Sequence, residues 1–389
     1  MRPPHRAVDV LLVGGGVASA RCARTLRRNG FQGSILLVGA EGRAPYNRPP
    51  LSKELLRDDL PEELLAAEAP SWYERRSIEL LTGAVVERIQ PDERLATLAG
   101  GVTVGFKRLL IATGAEVRRL AIPGAERSLT LRTAEDARRL REAAVAAGAD
   151  APVVVIGGGF IGLEVASSLA SLGLRPTVVE LAPVLWGGTL GAELAAWATA
   201  RLADAGVHLR LGTGTTRIGD DAVWIDAERL AAAFVVVGVG VRPRVELAAA
   251  AGLQTDDGIV VDEEQRTSHE AIWAAGDVAR IEGRSRIEHW HAAREAGERA
   301  GLSMLGLPVP PPPAPWVFSE IAGTTLDLIG AGDGWEEEVW FDASRTVLAY
   351  VRAGRTVGLA GIGGAIAPEV ARRLVEAGVA PSEVVAAMR

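Results

Sequence analysis

Two largely apolar runs, residues 8–13 and 153–156, are each followed at once by glycines and then by an alanine-rich stretch. A continuous apolar run bounded by turn residues reads as a strand covered on both faces, as in a parallel sheet. The first run leads to a predicted helix over 19–29 and a strand over 34–38, which makes a βαβ unit. The second opens a like unit spanning 152–180, in a domain that continues to about residue 241. Further strands are predicted at 108–111 and from 271, the latter followed by a Gly276-Asp277 turn. Pro49 and Pro50 force extended backbone, so no helix is expected before Leu51. Leu51-Ser52-Lys53-Glu54 then starts one, with Ser52 as its cap. Residues 308–315 are proline-dense and read as a stiff connector. Beyond it, 326–329, 338–341 and 347–351 pattern as strands, and 370–377 and 381–388 as helices, forming a small third domain. The doubled glycine-turn unit is the one repeat in the pattern.

Composition narrows the class. With 389 residues, 48% hydrophobic and 23% charged, the chain has material for two or three packed domains. A net charge of −7 argues against nucleic acid as the main partner, because a phosphate backbone calls for a basic surface. The arginines 138, 139 and 141 read as a solvated helix face. Cys22 is the single cysteine, so no internal disulfide and no redox dithiol can form, and a reducing cytoplasm is the expected compartment. No apolar run has transmembrane length, and no signal-type segment opens the chain. His289 and His291 stand two apart without further ligands, which is not a metal pattern.

The chemistry lies in the two turns, Gly14-Gly15-Gly16 and Gly157-Gly158-Gly159, 143 residues apart. One glycine permits the tight turn, a second lets the backbone approach a pyrophosphate, and the helix N-terminus faces that charge. Two such turns imply two dinucleotides, hence flavin–nicotinamide redox chemistry. In the second, Gly157, Gly159 and Gly162 complete the pattern, and Glu180 closes the next strand 23 residues after Gly157. An acid there accepts bonds from ribose hydroxyls and repels a 2′-phosphate. Leu181-Ala182-Pro183 offers no arginine to such a phosphate, so NADH is expected over NADPH.

The chain resembles the flavoprotein pyridine-nucleotide reductases that lack a redox disulfide, in their ferredoxin-reductase branch. The resemblance rests on five stretches in order: Arg48-Pro49-Pro50-Leu51-Ser52-Lys53, Leu109 to Gly114, Gly157 to Glu164, Gly238-Val239-Gly240-Val241-Arg242-Pro243 and Trp273-Ala274-Ala275-Gly276-Asp277. It implies an α/β fold with two Rossmann-like domains, the NAD(H) domain (119–245) inserted into a split FAD domain (1–118 and 246–315), and a C-terminal α+β interface domain (316–389). Carried over residue by residue, it implies FAD pyrophosphate contacts at Gly14, Gly16 and Ala18, with Ser19 at the third glycine position. Arg132 matches a position that contacts FAD, and Asp277 after Gly276 resembles the aspartate that bonds the ribityl chain or pyrophosphate. Trp290 aligns with a residue covering the isoalloxazine. Lys53 and Glu164 match a pair beside flavin N5, where an ammonium stabilises negative charge on reduced flavin and the carboxylate holds it. The resemblance also implies cofactor contacts at Arg48, Val86, Ala112, Thr113, Gly114, Phe160, Ile161 and Gly240.

Two departures qualify it. Relatives carry Gly-Asp after the strand at 34–38, with the acid on the FAD ribose; this chain has Ala40, so Glu41 is the candidate substitute. After Ala314-Pro315-Trp316, relatives read an aromatic and then a Ser-Asp-Gln-Tyr type of sequence near the flavin; this chain reads Val317-Phe318-Ser319-Glu320-Ile321-Ala322. The resemblance implies an FAD enzyme that takes hydride from NADH and passes single electrons to a small ferredoxin-type iron–sulfur protein of an oxygenase system. Two alternatives stand beside it: a small organic substrate or oxygen as acceptor, and a slow NADH-binding sensor. Neither a membrane nor nucleic acid is expected as partner, and the protein is read as a monomer or homodimer.

Overall fold

The structure is a computed structural model, and it describes residues 5–57, 60–330, 334–341 and 343–387. The chain forms two compact units. The first comprises Met1–Asn47, Glu63–Glu116 and Arg242–Pro312, the second Arg48–Glu62, Val117–Val241 and Pro313–Arg389.

The first unit is built on a sheet ordered Ile78–Thr82, Ile35–Gly39, Arg6–Val13, Thr103–Ile111, Leu95–Leu98 and Val86–Gln90, with Ile272–Ala274 also paired to Thr103–Ile111. The Arg6–Val13 strand runs parallel to both neighbours. Its apolar residues alternate between two cores. Leu11 and Val13 join Leu36 and Val38 on one face, while Val10 and Leu12 join Ile35 and Leu37 on the other. Covering both faces explains why the sequence run is continuous rather than alternating. Helices Val17–Arg28 and Trp290–Met304 cross very closely on the second face. A Cβ on Gly297 would fall 2.2 Å from the Ala18 carbonyl oxygen, and one on Gly301 would fall 2.9 Å from Thr25 Cβ.

The second unit holds a parallel sheet ordered His208–Leu211, Arg175–Glu180, Pro152–Ile156 and Val235–Val237, and an antiparallel trio Thr215–Ile218, Ala222–Ile225 and Glu228–Ala231. Its C-terminal part is a five-stranded antiparallel sheet ordered Trp316–Ile321, Thr324–Gly330, Arg355–Ile362, Val347–Arg352 and Glu337–Trp340. Helices Pro368–Ala377 and Pro381–Ala387 close its core through Ala371 and Val384; the last residue of the helix expected over 381–388 lies outside the described residues. The α/β class, with parallel strands leading into each glycine turn and an α+β end, is the expected one.

Several local expectations change. Pro49 and Pro50 do not hold the chain extended; they begin a 3-10 turn, Pro49–Ser52, at positions where a fixed φ suits a helix start and no N–H is needed. The helix that follows is short, Glu54–Arg57, and Ser52 does not cap it, because its hydroxyl is bonded to Glu164. The strands Trp316–Ile321 and Arg355–Ile362 were not legible from the sequence pattern.

Candidate functional site

In the first unit the Gly14 turn is fixed by contact with backbone. Gly14 has φ +124°, and a Cβ there would fall 2.0 Å from the Ala112 carbonyl oxygen. The neighbouring strand end at Ala112 therefore demands glycine at this position. Gly16 differs: it is the N-cap of Val17–Arg28, and the space where its Cβ would lie is open to 4 Å. That helix has no side-chain cap and no acid in its first turn. Its free N–H groups and positive dipole end are left for an anion brought over Gly16, which fits a dinucleotide pyrophosphate. Ser19 is fully buried and its Oγ has no partner.

Other expected residues of this unit gather around the turn. Gly276 has φ +81°, and its missing Cβ lies 3.2 Å from Ala18 Cβ. Arg286 fixes the turn by donating from Nη1 to the Asp277 carbonyl at 3.1 Å and from Nε to the Asp257 carbonyl at 2.8 Å. Trp290 donates its indole N–H to Asn47 Oδ1 at 2.8 Å, and the Arg294 guanidinium lies 4.4 Å over its ring. Both border a cleft shared with Val17, Ala20, Arg21 and Arg24. Burial, with the like charge of Arg21 second among the causes, holds the Arg294 pKa below its usual value. Glu41 accepts a hydrogen bond from the Tyr46 hydroxyl at 2.7 Å. Thr113 donates its hydroxyl to the Arg244 carbonyl at 3.0 Å, and Gly114 takes φ +69°. Val86 is in the hydrophobic core, 8% exposed. Cys22 is buried, and burial pushes its thiol pKa up to about 12, so it is held as the unreactive thiol.

The second unit repeats the design with the full three-glycine pattern. Gly157 has φ +115°, and a Cβ would fall 2.4 Å from the Gly238 carbonyl oxygen. Gly159 caps Phe160–Ser171 with open space at its Cβ position, and again the helix has neither side-chain cap nor first-turn acid. Gly162 lets helix and strand pack, since its Cβ would fall 2.0 Å from the Gly157 carbonyl oxygen. These features fit a second pyrophosphate. The Glu180 carboxylate accepts from the Gly158 N–H at 2.5 Å and from the Ala182 N–H at 2.8 Å, so it is aimed over the turn. Trp186 was not expected here. Its backbone N–H donates to the Gly158 carbonyl at 3.0 Å, its φ is +56°, and its ring centroid lies 5.6 Å from that of Phe160. The one sequence cue was the Gly187-Gly188 pair after it, which marks an irregular turn. Ile161 is 46% exposed at the first turn of the helix. Gly240 takes φ +92° and accepts a backbone bond from Arg118.

Lys53 and Glu164 meet in the second unit as a buried ion pair, Nζ to Oε2 at 2.7 Å, with the whole residues 6% and 4% exposed. Glu164 lies on the helix that Gly159 caps, one turn beyond Phe160, so the nucleotide turn and the ion pair share one rigid element. The Ser52 hydroxyl donates to Glu164 Oε2 at 2.5 Å and receives from Lys53 Nζ at 3.3 Å. The Ser319 hydroxyl donates to Glu164 Oε1 at 2.7 Å. The segment that departs from its relatives is thus joined to the ion pair through Ser319, which sequence spacing could not have disclosed. Arg48 stands at the N-cap of the Pro49–Ser52 turn, and the Arg132 backbone N–H donates to Asp136.

Among the described residues, no group of three or more His, Cys, Asp or Glu side chains could hold a metal ion, and no helix is long and apolar enough to cross a membrane.

Comparison with known proteins agrees with this geometry. Residues 8–297 match the family described as pyridine nucleotide-disulphide oxidoreductase. The chain is 35% identical over 385 residues to the ferredoxin reductase component of chlorobenzene dioxygenase from Cupriavidus sp. (strain PS12), covering 95% of this chain and 93% of that protein. Its structure is similar to putidaredoxin reductase in the covalent complex with putidaredoxin, with a TM-score of 0.91, 29% identity and 98% and 96% of the two chains covered. It is also similar to the ferredoxin reductase for the CYP199A2 system from Rhodopseudomonas palustris, with a TM-score of 0.87, 30% identity and 95% and 100% covered.

Proposed function

The chain belongs to the pyridine nucleotide-disulphide oxidoreductase family, and from that premise we propose that it is an FAD-dependent NADH oxidoreductase delivering electrons to a small ferredoxin-type protein of an oxygenase system. The observation that carries this reading is the pair of open, uncapped helix N-termini at Gly16 and Gly159 in a chain whose one cysteine is buried. Two dinucleotides without a dithiol leave direct nicotinamide-to-flavin transfer as the shared chemistry. The likeness to reductases of a dioxygenase and of putidaredoxin supports a ferredoxin as acceptor. A reducing cytoplasm suits such a protein.

FAD, when bound, supplies the exchange between a hydride accepted from NADH and electrons released singly. The chain's own part is binding, orientation and charge. The Gly14 turn and the Val17–Arg28 N-terminus would hold the FAD pyrophosphate; Asp277, in the turn fixed by Arg286, would take flavin-side hydroxyls, and Trp290 would serve the flavin ring. The Gly157 turn holds the NADH pyrophosphate and Glu180 its ribose hydroxyls. Lys53, oriented by Glu164, would offer an ammonium to the negative charge that a reduced flavin gathers. The division into a split FAD portion, an inserted NAD(H) portion and a C-terminal acceptor portion belongs to this proposal.

Anaerobic stopped-flow mixing with NADH tests it. Rapid, complete bleaching of the flavin absorbance, followed by reoxidation on adding a ferredoxin, is the expected result; slow bleaching with a lasting long-wavelength band would refute the reductase reading. Glu180→Ala should narrow the preference for NADH over NADPH about tenfold, equivalent to ~1.4 kcal/mol. An unaltered ratio of the two kcat/KM values would place discrimination elsewhere.

A further inference from the structure

We infer that Ser319 is a positioning residue for Lys53, acting through the far oxygen of Glu164; the inference rests on the role proposed above for Lys53. Glu164 divides its carboxylate between two groups of donors. Oε2 receives Lys53 Nζ at 2.7 Å and Ser52 Oγ at 2.5 Å, whereas Oε1 receives Ser319 Oγ at 2.7 Å. The terminal torsion of a glutamate is broad and roughly two-fold, so donors at one oxygen leave the carboxylate free to turn. Ser52 is the chain neighbour of Lys53 and moves with it. Ser319 is the remote donor that sets the plane of the carboxylate, and hence the direction in which Lys53 is drawn.

The strand carrying Ser319 is fixed for that task. It pairs antiparallel with Thr324–Gly330, with Ser319 opposite Leu326. Next along the strand, Glu320 forms an ion pair with Arg57 at 2.7 Å, on the helix that follows Lys53. Just beyond it, the Ala322 N–H donates to Ser167 Oγ at 3.1 Å, on the helix that carries Glu164. Ser319 is therefore referenced to both elements whose side chains it aligns, and it is 2% exposed, so water does not compete for Oε1. A buried carboxylate oxygen left without its donor is costly, and the donors already on that carboxylate are the Lys53 ammonium and the Ser52 hydroxyl; turning Oε1 toward them moves Lys53.

The test compares Ser319→Ala and Ser319→Thr in the FAD-loaded protein, with Lys53→Met as reference. Read out are the flavin midpoint potential, its rate of reduction by NADH, and the affinity for ADP-ribose, which occupies the nucleotide turn without the nicotinamide. Ser319→Ala should make the potential more negative and slow reduction about tenfold, the worth of one hydrogen bond to a charged group. ADP-ribose affinity and FAD content should hold, and Ser319→Thr should restore both the potential and the rate. An unchanged potential in Ser319→Ala overturns the inference. If Lys53→Met shifts the potential, the positioning role of Ser319 alone falls; if Lys53→Met is also unchanged, the role of Lys53 falls with it. Loss of FAD or of ADP-ribose affinity in Ser319→Ala, or no rescue by threonine, would also overturn the inference by making Ser319 a packing residue.

Discussion

Lys53→Ala should slow reduction of the bound flavin by NADH about a hundredfold, the usual cost of removing one preorganised group from developing charge, while FAD stays bound at the separate Gly14 turn. The same substitution should lower stability by about 3–5 kcal/mol, because it leaves a buried carboxylate without its counter-charge. Glu164 is 4% exposed and would keep only the Ser52 and Ser319 hydroxyls. The two effects are separable. A Lys53→Met, Glu164→Gln double variant removes the orphan charge and should recover most of the lost stability, yet should reduce as slowly as Lys53→Ala. Thermal melting and single-turnover reduction, measured side by side, check this. A double variant that regains both stability and rate would mean that the ion pair is structural and takes no part in hydride transfer.

Gly157→Ala should abolish measurable ADP-ribose binding and raise the KM for NADH by two or more orders of magnitude, while leaving the flavin in place. The cause is steric on two counts. A Cβ would lie 2.4 Å from the Gly238 carbonyl oxygen, and the φ of +115° is one that an L residue with a side chain rarely adopts. Backbone, not a flexible side chain, blocks the space, so the turn must deform and its N–H groups leave the line of the pyrophosphate. Gly14→Ala is the mirror case, with the Ala112 carbonyl oxygen 2.0 Å away, and should yield protein lacking flavin. The ratio of visible to ultraviolet absorbance and calorimetric titration with ADP-ribose read the two sites independently. Equal loss of both ligands in either variant would argue for general misfolding in place of two separate sites.

The helix capped by Gly159 links these predictions. It begins at one nucleotide turn and carries Glu164 one turn later, so distortion at Gly157 should also disturb the ion pair. Gly159 itself needs no special φ, and the space beside it is open. Under the proposed function that open space is where the ligand approaches. Gly157 and Gly162 instead admit the protein's own backbone, so the three glycines of one motif answer to different demands.

Both glycine turns, the acid at Glu180 and the pairing partners Lys53 and Glu164 could be read from the chain, because each belongs to a local pattern: a strand, a turn, a helix start, or a short stretch shared with relatives. The apolar run at 8–13 likewise disclosed a doubly covered strand, since its composition directly reflects cores on both faces. The paired prolines misled, because the fixed φ of proline suits both an extended chain and the first turn of a helix, and only the packing around Leu51 and Ser52 selects between them. Ser52 looked like a cap for the same reason: a short hydroxyl can satisfy a backbone N–H or a remote carboxylate, and sequence does not say which is nearer. Ser319 and Arg286 had no local signature, and Trp186 had only the Gly187-Gly188 pair beside it. Their roles arise from contacts across long separations in the chain, such as Ser319 with Glu164 and Trp186 with Gly158. That this protein binds two dinucleotides and moves electrons without a dithiol was legible in its turns and its cysteine count, which are local properties of the chain. Which hydroxyls align the Lys53–Glu164 pair was decided only when the tertiary fold brought separate strands and helices within hydrogen-bond distance of one buried carboxylate.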